Sequence, residues 1–246
     1  MRASSGYSWR TDPELTVFVP CLNEAAHVAN TIDVVAEAAR QTGVAVELIV
    51  CDDGSTDRTA AVVEEYAAAH PEVAISMFRN PRRRGVAMNF VEGAYRGRGR
   101  CYRMVTGDET EPLDTHVAIL NALGSADIIL PVFTTIEGRT IARWMISRLY
   151  TRIVNIVSGN VIRYYNGGPV VLREDVQRYR RDATGAGFQA ELVTRLIAEQ
   201  RSYREIELTA IDRGGSRVLT LRNVFSAARS FLRIGLRRLH RIVRTP

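Results

Sequence analysis

Short apolar runs alternate with longer stretches in which apolar residues recur every three or four positions in the first half of the chain. The runs predict β-strands over 15–19, 46–50, 73–78, 102–105 and 128–132. The stretches between them predict helices over 24–40, from a cap at Ser55 or Thr56 to residue 69, and over 86–95. This alternation is typical of an α/β fold with a mostly parallel central sheet and helices on both faces.

The second half begins with a helical pattern over 140–158, with apolar residues on one side and arginines on the other. These arginines are Arg139, Arg143, Arg148 and Arg152. Further on, the pattern predicts a strand at 170–172, a helix at 189–199, a strand at 203–208 and a last helix at 219–243. The chain has no internal repeat and no linker-like stretch, so we expect one domain over 1–218 followed by a C-terminal helix within 219–246.

Composition agrees with a folded domain, because 46% of the 246 residues are apolar. No window approaches the ~18 uninterrupted apolar residues of a membrane span, and residues 1–10 lack the apolar core of a secretory signal. The three cysteines stand far apart without CxxC spacing, which predicts reduced thiols that serve in packing. Together these features predict a cytoplasmic protein.

Charge is concentrated at the C-terminus, where the chain from Ser216 onward has eight arginines and no acid. The same segment has an apolar stripe at three- and four-residue spacing, made of Leu221, Phe225, Ala228, Leu232, Leu236, Leu239 and Val243. A basic amphipathic helix of this kind is expected to lie in the interface of an anionic membrane. The alternative is a terminal helix that packs its stripe on the domain and leaves its arginines in solvent.

Polar clusters follow three of the predicted strands, at 20–24, 52–57 and 106–111. In open parallel sheets the ligand binds at the carboxyl ends of the strands. Taken singly, Asn23, Ser55 and Thr56 could cap helices and Gly54 could supply a turn. Carboxylates at neighbouring strand ends repel one another unless a cation or a ligand's donors lie between them, so the three clusters together predict a site for a polar ligand.

The residues of these clusters also carry a resemblance to a known family. The segments VFVPCLNEAAHV and ELIVCDDGSTDRTA, followed by N-x-x-x-x-G-x-A-x-N within 80–94, resemble the start of glycosyltransferase family 2. The later segments GFQAELVTRLIAEQRSYREIEL and DRGGSRVLTLRN resemble its polyprenyl-phosphate branch, similar to dolichol-phosphate mannose synthase. The resemblance implies a nucleotide-sugar-dependent enzyme with a GT-A fold and a Rossmann-like nucleotide-binding half, and it makes 1–218 the catalytic domain.

The resemblance also implies roles for individual residues on the donor side. The nucleotide-sugar would contact a set of strand-end and loop residues: Pro20, Asn23 and Glu24 around the nucleoside, Asp52 and Asp53 at the base or ribose, and Gly85 at a close backbone approach. Asp108 would hold Mg²⁺ or Mn²⁺ at the donor diphosphate. The family's metal motif is usually Asp-x-Asp, whereas this chain has Thr106-Gly107-Asp108, so only the second acid is kept, with Glu109 or Glu111 as a further contributor.

Arginines are candidates for binding both the donor diphosphate and the acceptor phosphate, because guanidinium groups bind phosphate oxygens in bidentate fashion. By the same resemblance, Arg143 and Arg148 would bind the acceptor phosphate, while Arg213 and Arg217 would bind the donor. Each of them could instead belong to a solvated helix face. If the acceptor is a hydroxyl, a general base is required and Glu191 is the candidate, although it could equally be an acid that pairs with arginine.

These observations predict transfer of a sugar from a GDP- or UDP-linked donor to a polyprenyl phosphate at the cytoplasmic surface of the membrane. A phosphate monoester is mostly a dianion at neutral pH, so it can attack without a general base and invert the anomeric carbon. One alternative is a same-fold enzyme acting on a hydroxyl of a soluble or cell-envelope acceptor. A nucleic-acid-binding module using the arginine-rich tail is a further alternative, but it leaves the strand-end clusters unexplained, so no nucleic-acid partner is expected.

Overall fold

The computed structural model describes residues 12–180, 185–212 and 221–244, with the side chains of 223–243 in the last segment. The strands are β1 (Leu15–Cys21), β2 (Val46–Asp52), β3 (Ile75–Arg79), β4 (Cys101–Met104), β5 (Ile128–Glu137), β6 (Val171–Leu172) and β7 (Tyr203–Ile211). The helices are α1 (Val28–Thr42), α2 (Thr59–Ala69), α3 (Val86–Arg96), α4 (Leu113–Ala122), α5 (Ile141–Ser158), α6 (Arg173–Arg178), α7 (Phe188–Ala198) and α8 (Leu221–Arg244).

The central sheet has the strand order β3-β2-β1-β4-β6. Its first four strands are parallel, and β6 joins the edge of β4 in antiparallel orientation. The carboxyl ends of β1, β2 and β4 therefore meet at one edge of the sheet, which is where the polar clusters of the sequence lie. The strand predicted at 128–132 does not extend this sheet: β5 pairs in parallel with β7 and touches the sheet region through a bridge between Ile129 and Val170.

Alternating residues of the central strands fill two cores, one on each face of the sheet. In β1, Val17 and Val19 pack with α1, α2 and α4, whereas Phe18 packs with α3 and with residues of α5 to α8. Both faces are thus covered by helices, as the near-continuous apolar runs of the strands require. The predicted α/β class with a mostly parallel sheet is confirmed.

Three local predictions differ from the structure. α1 begins at Val28 rather than at residue 24, because residues 23–25 are held by the loop that follows β2. Neither Ser55 nor Thr56 caps α2, which begins at Thr59, whose backbone N–H donates to Asp57 Oδ1 at 2.9 Å. The pattern also missed α4 and the short α6.

The C-terminal helix α8 packs beside α5 and α7 with its apolar stripe turned away from the domain. Its inner side holds Ile234, which is 3% exposed, and Phe231, whose ring lies 5.4 Å from that of Tyr150 in α5. The stripe is exposed at every position whose side chain is described, with Phe225 at 73% and Val243 at 83%. The stripe therefore does not pack on the domain. This differs from the alternative interpretation of the tail, in which the stripe packs on the domain.

Exposed apolar residues also lie on α5, the helix that neighbours α8; they are Ile141, Met145, Leu149 and Ile156. α5 begins after Thr140, whose hydroxyl accepts a hydrogen bond from the Arg143 backbone at 3.4 Å, and it ends at Gly159. Among the described residues, no helix combines the length and the apolar character needed to cross a membrane. The predicted division at residue 218 falls outside the described residues.

Candidate functional site

The loops after β1 and β2 are joined by hydrogen bonds between their side chains and backbones. Asn23, in the left-handed region at φ 60°, accepts a hydrogen bond from the Thr56 backbone at 2.9 Å, and its own N–H donates to Ser55 Oγ at 2.9 Å. The Glu24 N–H donates to Thr59 Oγ1 at 2.8 Å. Asn23 and Glu24 are thus fixed beside the end of β2, at the edge of the sheet where β1 ends with the half-buried Pro20 and the buried Cys21.

Asp53 organises the loop that precedes α3. Its Oδ1 accepts hydrogen bonds from Asn80 Nδ2 at 2.9 Å and from the Arg84 backbone at 2.8 Å, and its Oδ2 accepts one from the Gly85 backbone at 2.8 Å. Burial opposes the charge of this carboxylate, but the backbone and amide donors outweigh it and hold the pKa of Asp53 below its ordinary value. Gly85 has a φ of 92° and open space where a Cβ would stand, so a ligand can approach its backbone closely.

Asp52, the last residue of β2, is 1% exposed and is fixed on both carboxylate oxygens. Its Oδ1 accepts a hydrogen bond from the Ser55 backbone at 2.8 Å, and its Oδ2 pairs with Arg79 Nε at 3.1 Å. Each carboxylate oxygen has two lone pairs, so these contacts leave acceptor capacity toward a ligand. The structure brings Asp52 and Asp53, at the end of β2, together with the loop of Asn23 and Glu24.

Asp108 follows β4 in a tight loop against the end of β1. A Cβ on Gly107 would lie 2.6 Å from Cys21 Sγ, so only glycine lets this backbone pass so near β1. Asp108 Oδ1 is buried and accepts no hydrogen bond from any residue that the structure describes. Glu24 lies beside this loop, since a Cβ on Gly107 would be 3.7 Å from its Cγ. Burial and the nearby Asp108 carboxylate raise the pKa of Glu24 above its ordinary value. An unsatisfied carboxylate oxygen beside a second acid is the environment that a cation stabilises.

The other two acids after β4 are engaged elsewhere. Glu109 contacts α1 through Asn30 Nδ2 and through His27, whose Nδ1 lies 3.5 Å from its Oε2. Glu111 forms a buried ion pair with Arg103, with 2.6 Å between Oε2 and Nη2. Within the described ranges, no group of three or more His, Cys, Asp or Glu side chains is arranged around a metal position. The protein therefore offers Asp108 as a single carboxylate, which fits a Mg²⁺ ion that keeps water and diphosphate oxygens as its other ligands.

A basic cavity of about 340 Å³ lies between the middle of β5, the first three turns of α5 and the loop before β6. Its lining includes Arg139, Arg148 and Arg163 together with Trp144. The Arg148 guanidinium stacks on the Trp144 ring, with 3.3 Å from Cζ to the ring centroid. This cation–π contact fixes the guanidinium while leaving its edge available to an anion. Arg163, whose Nη1 lies 2.6 Å from Glu207 Oε1, was not among the predicted site residues.

Arg143 lies on the side of α5 that meets the end of β7. Its Nη1 pairs with Asp212 Oδ1 at 2.5 Å, and the neighbouring Ile211 N–H donates to the Thr110 carbonyl at 2.8 Å. These bonds connect Arg143 to the loop that holds Asp108, whereas Arg148 belongs to the basic cavity. Arg213 and Arg217, the arginines predicted for the donor, lie outside the described residues.

Glu191 does not reach the site as a general base. It is 0% exposed, and its Oε2 lies 3.8 Å from Arg233 Nη1 and 3.7 Å from Arg237 Nη2, both on α8. A carboxylate buried between two guanidinium groups is not exposed to take up a proton from a substrate. Of the two roles considered for Glu191, the structure supports that of an acid paired with arginine.

Sequence reasoning missed the buried group formed by Arg103, Glu111 and His116 beneath the Asp108 loop. Arg103 donates to the Gly168 carbonyl at 3.0 Å and to Glu111, and its Nη1 lies 3.4 Å from His116 Nδ1. Burial lowers the pKa of His116 to about 4, so the imidazole is neutral at physiological pH. The only signal in the sequence was an arginine inside a predicted strand, and it does not identify its partners.

Comparison with known proteins identifies the family. The model of "Glycosyl transferase family 2" matches residues 16–180. The low-salt glycan biosynthesis hexosyltransferase Agl6 of Haloferax volcanii is 26% identical over 211 residues, which cover 82% of this chain and 49% of the relative. The dolichyl-phosphate beta-glucosyltransferase ALG5C of Trichomonas vaginalis is 28% identical over 134 residues, which cover 50% of this chain and 39% of the relative. The chain thus spans half or less of the length of these curated relatives.

Solved structures share the fold. A glucosyl-3-phosphoglycerate synthase from Mycobacterium tuberculosis, in complex with Mn²⁺, UDP and phosphoglyceric acid, superposes with a TM-score of 0.66 at 16% identity over 92% of this chain and 78% of that one. The mannosyltransferase PcManGT from Pyrobaculum calidifontis, in complex with GDP-Man and Mn²⁺, gives a TM-score of 0.62 at 18% identity over 85% of this chain and 59% of that one. The GT-A fold predicted from the sequence is confirmed, and the family match over residues 16–180 shows that the chain belongs to glycosyltransferase family 2.

Proposed function

We propose that the chain transfers a sugar from a GDP- or UDP-linked donor to a polyprenyl phosphate at the cytoplasmic surface of a membrane. The observation that carries the proposal is the pairing of an acidic strand-end site around Asp108 with a cavity lined by Arg139, Arg148 and Arg163. The first suits a cation-bridged donor diphosphate, and the second suits an acceptor that is itself an anion. Similarity to a dolichyl-phosphate glucosyltransferase supports the lipid acceptor.

On the donor side, the nucleoside would lie over Pro20, Asn23 and Glu24, with Asp52 and Asp53 at the base or ribose. Both aspartates already accept hydrogen bonds from the protein, so they are fixed before a ligand arrives. A side chain held in place loses little entropy on binding. The backbone at Gly85 would face the donor, since its N–H is hydrogen-bonded to Asp53 and the space beside its Cα is open.

Asp108 would hold the divalent ion, Mg²⁺ or Mn²⁺. Its buried and unsatisfied Oδ1 supplies the carboxylate, and the solved structures with Mn²⁺ and a nucleotide or nucleotide sugar have the same fold. A divalent ion bound there would supply positive charge that stabilises the diphosphate as the leaving group. Glu24, with its raised pKa, lies close enough to Asp108 to respond to that charge.

The acceptor phosphate would attack as its dianion, which needs no general base. A bond forms between a phosphate oxygen and the anomeric carbon, the bond from that carbon to the donor diphosphate breaks, and the electron pair leaves with the nucleoside diphosphate. Displacement in line inverts the anomeric centre. Arg148 would bind the acceptor phosphate. Arg143, which the resemblance also placed at that phosphate, would instead hold the edge of the Asp108 loop through Asp212. The protein would thus act by alignment and charge. The burial of Glu191 agrees with a reaction that lacks a carboxylate base.

Membrane association would bring the enzyme to its lipid acceptor. α8 presents its apolar stripe to solvent, and α5 adds exposed apolar residues beside it. Neither helix contains an aspartate or a glutamate, so no negatively charged side chain on them repels anionic lipid. Removal of residues 219–246 is expected to abolish sedimentation with anionic vesicles, and unchanged binding of the truncated chain would contradict the role of α8.

The experiment that tests the function measures sugar transfer in detergent from a panel of nucleotide sugars, with a short-chain polyprenyl phosphate, with 3-phosphoglycerate and without acceptor. We expect transfer to the polyprenyl phosphate. Arg148→Gln should raise the KM for that acceptor about tenfold or more, the equivalent of one lost charge-assisted hydrogen bond, while Arg152→Gln on the exposed side of α5 should leave it unchanged. Transfer to a hydroxyl of 3-phosphoglycerate, with none to the polyprenyl phosphate, would overturn the assignment of the acceptor.

A further inference from the structure

Three consecutive arginines lie in the loop between β3 and α3, beside the proposed donor site. Arg82, Arg83 and Arg84 are all exposed, and no ion pair joins any of them to a residue that the structure describes. The proposed transfer reaction uses none of the three side chains, although together they carry a charge of +3. A cluster of like charge at the edge of a site changes how an ionic substrate approaches it.

The backbone of this loop is held tightly against the residues that follow β2. The backbone N–H groups of Arg84 and Gly85 both donate to the Asp53 carboxylate, each at 2.8 Å. A Cβ on Gly54 would lie 3.2 Å from the Arg83 backbone nitrogen, so the loops after β2 and β3 are in close contact. The three arginines are thus fixed in position at the rim of the donor site, although their side chains extend into solvent.

The donor site itself is acidic. Carboxylates lie at the ends of three neighbouring strands: Glu24 after β1, Asp52 at the end of β2 with Asp53 and Asp57 after it, and Asp108 after β4. The diphosphate of a nucleotide sugar is negatively charged too, so these carboxylates repel the approaching donor. A divalent ion held at Asp108 would offset part of the repulsion, and positive charge at the rim offsets more of it.

The exposed state of these side chains favours long-range attraction over direct contact with the bound donor. Arg79, at the end of β3, is fixed on Asp52 with 3.1 Å between Nε and Oδ2, whereas no partner among the described residues orders the three loop arginines. A bidentate contact would therefore cost ordering entropy for each of them, but attraction through the field of a charge cluster needs no fixed geometry. We propose that Arg82, Arg83 and Arg84 form an electrostatic rim that speeds the association of the anionic donor.

The inference rests on the proposed donor pocket but not on the identity of the acceptor. Its test measures association and dissociation rates by stopped-flow fluorescence with Mg²⁺ present. The probes are UDP and GDP that carry a fluorophore on the terminal phosphate, in place of the sugar. At about 0.1 M salt, Arg82→Gln with Arg83→Gln should lower the association rate constant about threefold or more for whichever probe binds, because part of the attraction is lost. The dissociation rate constant should change by less than about twofold, since no contact with the bound donor is removed.

Two matched double variants separate charge from contact and local charge from total charge. Arg82→Lys with Arg83→Lys keeps both charges but not the bidentate geometry of guanidinium, so it should keep the wild-type association rate. Arg100→Gln with Arg204→Gln removes two charges from exposed positions near the starts of β4 and β7, at the opposite end of the strands. β1 has 7 residues, so the two ends of the sheet are ~20 Å apart, about twice the Debye length at 0.1 M salt. This second variant should also keep the wild-type rate.

Raising the salt to about 1 M shortens the Debye length to ~3 Å and should bring the Gln variant and the wild type to the same association rate. An unchanged association rate in the Gln variant at the lower salt concentration would overturn the proposal. A raised dissociation rate there, or a lowered association rate in the Lys variant, would also overturn it, because both indicate direct contact. Thermal unfolding checks that each variant folds. Asp53→Asn with unchanged nucleotide affinity would show that the donor pocket is wrong, whereas weakened binding in that variant beside an unchanged rate in the Gln variant would show that only the electrostatic rim is wrong.

Discussion

Asp53→Asn is the change whose consequences the structure defines most closely. The substitution keeps the shape of the side chain but replaces one carboxylate oxygen by an NH₂ group. If Oδ1 keeps Asn80 and the Arg84 N–H, the new NH₂ faces the Gly85 N–H, which was 2.8 Å from Oδ2. One buried donor left without an acceptor costs ~1–3 kcal/mol, and the two remaining bonds lose their charge assistance at ~0.5–1 kcal/mol each. We expect unfolding in urea to show a loss of about 3 kcal/mol.

The affinity of the Asp53→Asn variant for nucleotide should fall together with its stability, since Asp53 holds the loop that would place Gly85 beside the donor. Calorimetry with UDP and GDP is expected to show at least a tenfold loss for whichever nucleotide the wild type binds. Asp114→Asn is the control: it makes the same chemical change at an exposed position in the first turn of α4 and should cost less than ~1 kcal/mol.

Acid pH gives a second check on Asp53. Its pKa is depressed in the folded state, so the stability it contributes is present above the ordinary Asp pKa of about 4 and is lost as the pH falls through the folded value. The difference between wild type and variant should therefore shrink below pH 4. A variant with unchanged stability and unchanged nucleotide affinity at neutral pH would refute the role of Asp53 in holding the loop.

Three further predictions concern the residues around the Asp108 loop. Asp108→Asn should abolish sugar transfer without lowering the urea midpoint, because the buried Oδ1 accepts no hydrogen bond from the described residues; residual transfer near wild type would remove the metal assignment. Gly107→Ala should destabilise the fold by ~1–3 kcal/mol, since the new methyl group would lie 2.6 Å from Cys21 Sγ, and an unchanged thermal midpoint would show that the loop has room. The His116 imidazole is neutral in the folded state down to about pH 4, whereas in the unfolded chain it takes up a proton near pH 6.5. As the pH falls from 6.5 to 4, the free energy of unfolding should therefore decrease by up to ~1.4 kcal/mol per pH unit. His116→Asn should flatten that slope, as measured by urea unfolding across the same pH range.

The sequence predicted the helices and strands whose own residues show a clear apolar pattern or a residue typical of a helix end. The strand runs that became β1 and β2 are mostly apolar on both faces. α5 follows a capping threonine and is followed by a glycine, so its predicted and observed limits agree to within one residue. The stripe of α8 was visible as spacing alone. α4 was missed although Pro112 at its start, with Leu113 and Leu120 on one side, is an ordinary helix signal.

Contacts between distant residues set the features that the sequence could not predict. Ser55 and Thr56 bond to Asn23, more than 30 positions earlier, and so do not cap α2. β5 finds its parallel partner in β7 some 75 residues later, which no local pattern reveals. The two acids after Asp108 are drawn to α1 and to Arg103 by partners that only the folded chain brings near. The basic cavity likewise combines arginines from separate segments of the chain.

Mass spectrometry of the lipid product tests the central claim most directly. The intact chain is incubated in detergent with polyprenyl phosphate, Mg²⁺ and the nucleotide sugar that it consumes, beside an Asp108→Asn control. The account predicts a polyprenyl phosphate that gains the mass of one hexosyl unit in the wild-type reaction only. Consumption of the nucleotide sugar with the lipid phosphate unchanged, or equal product from the Asp108→Asn control, would contradict it.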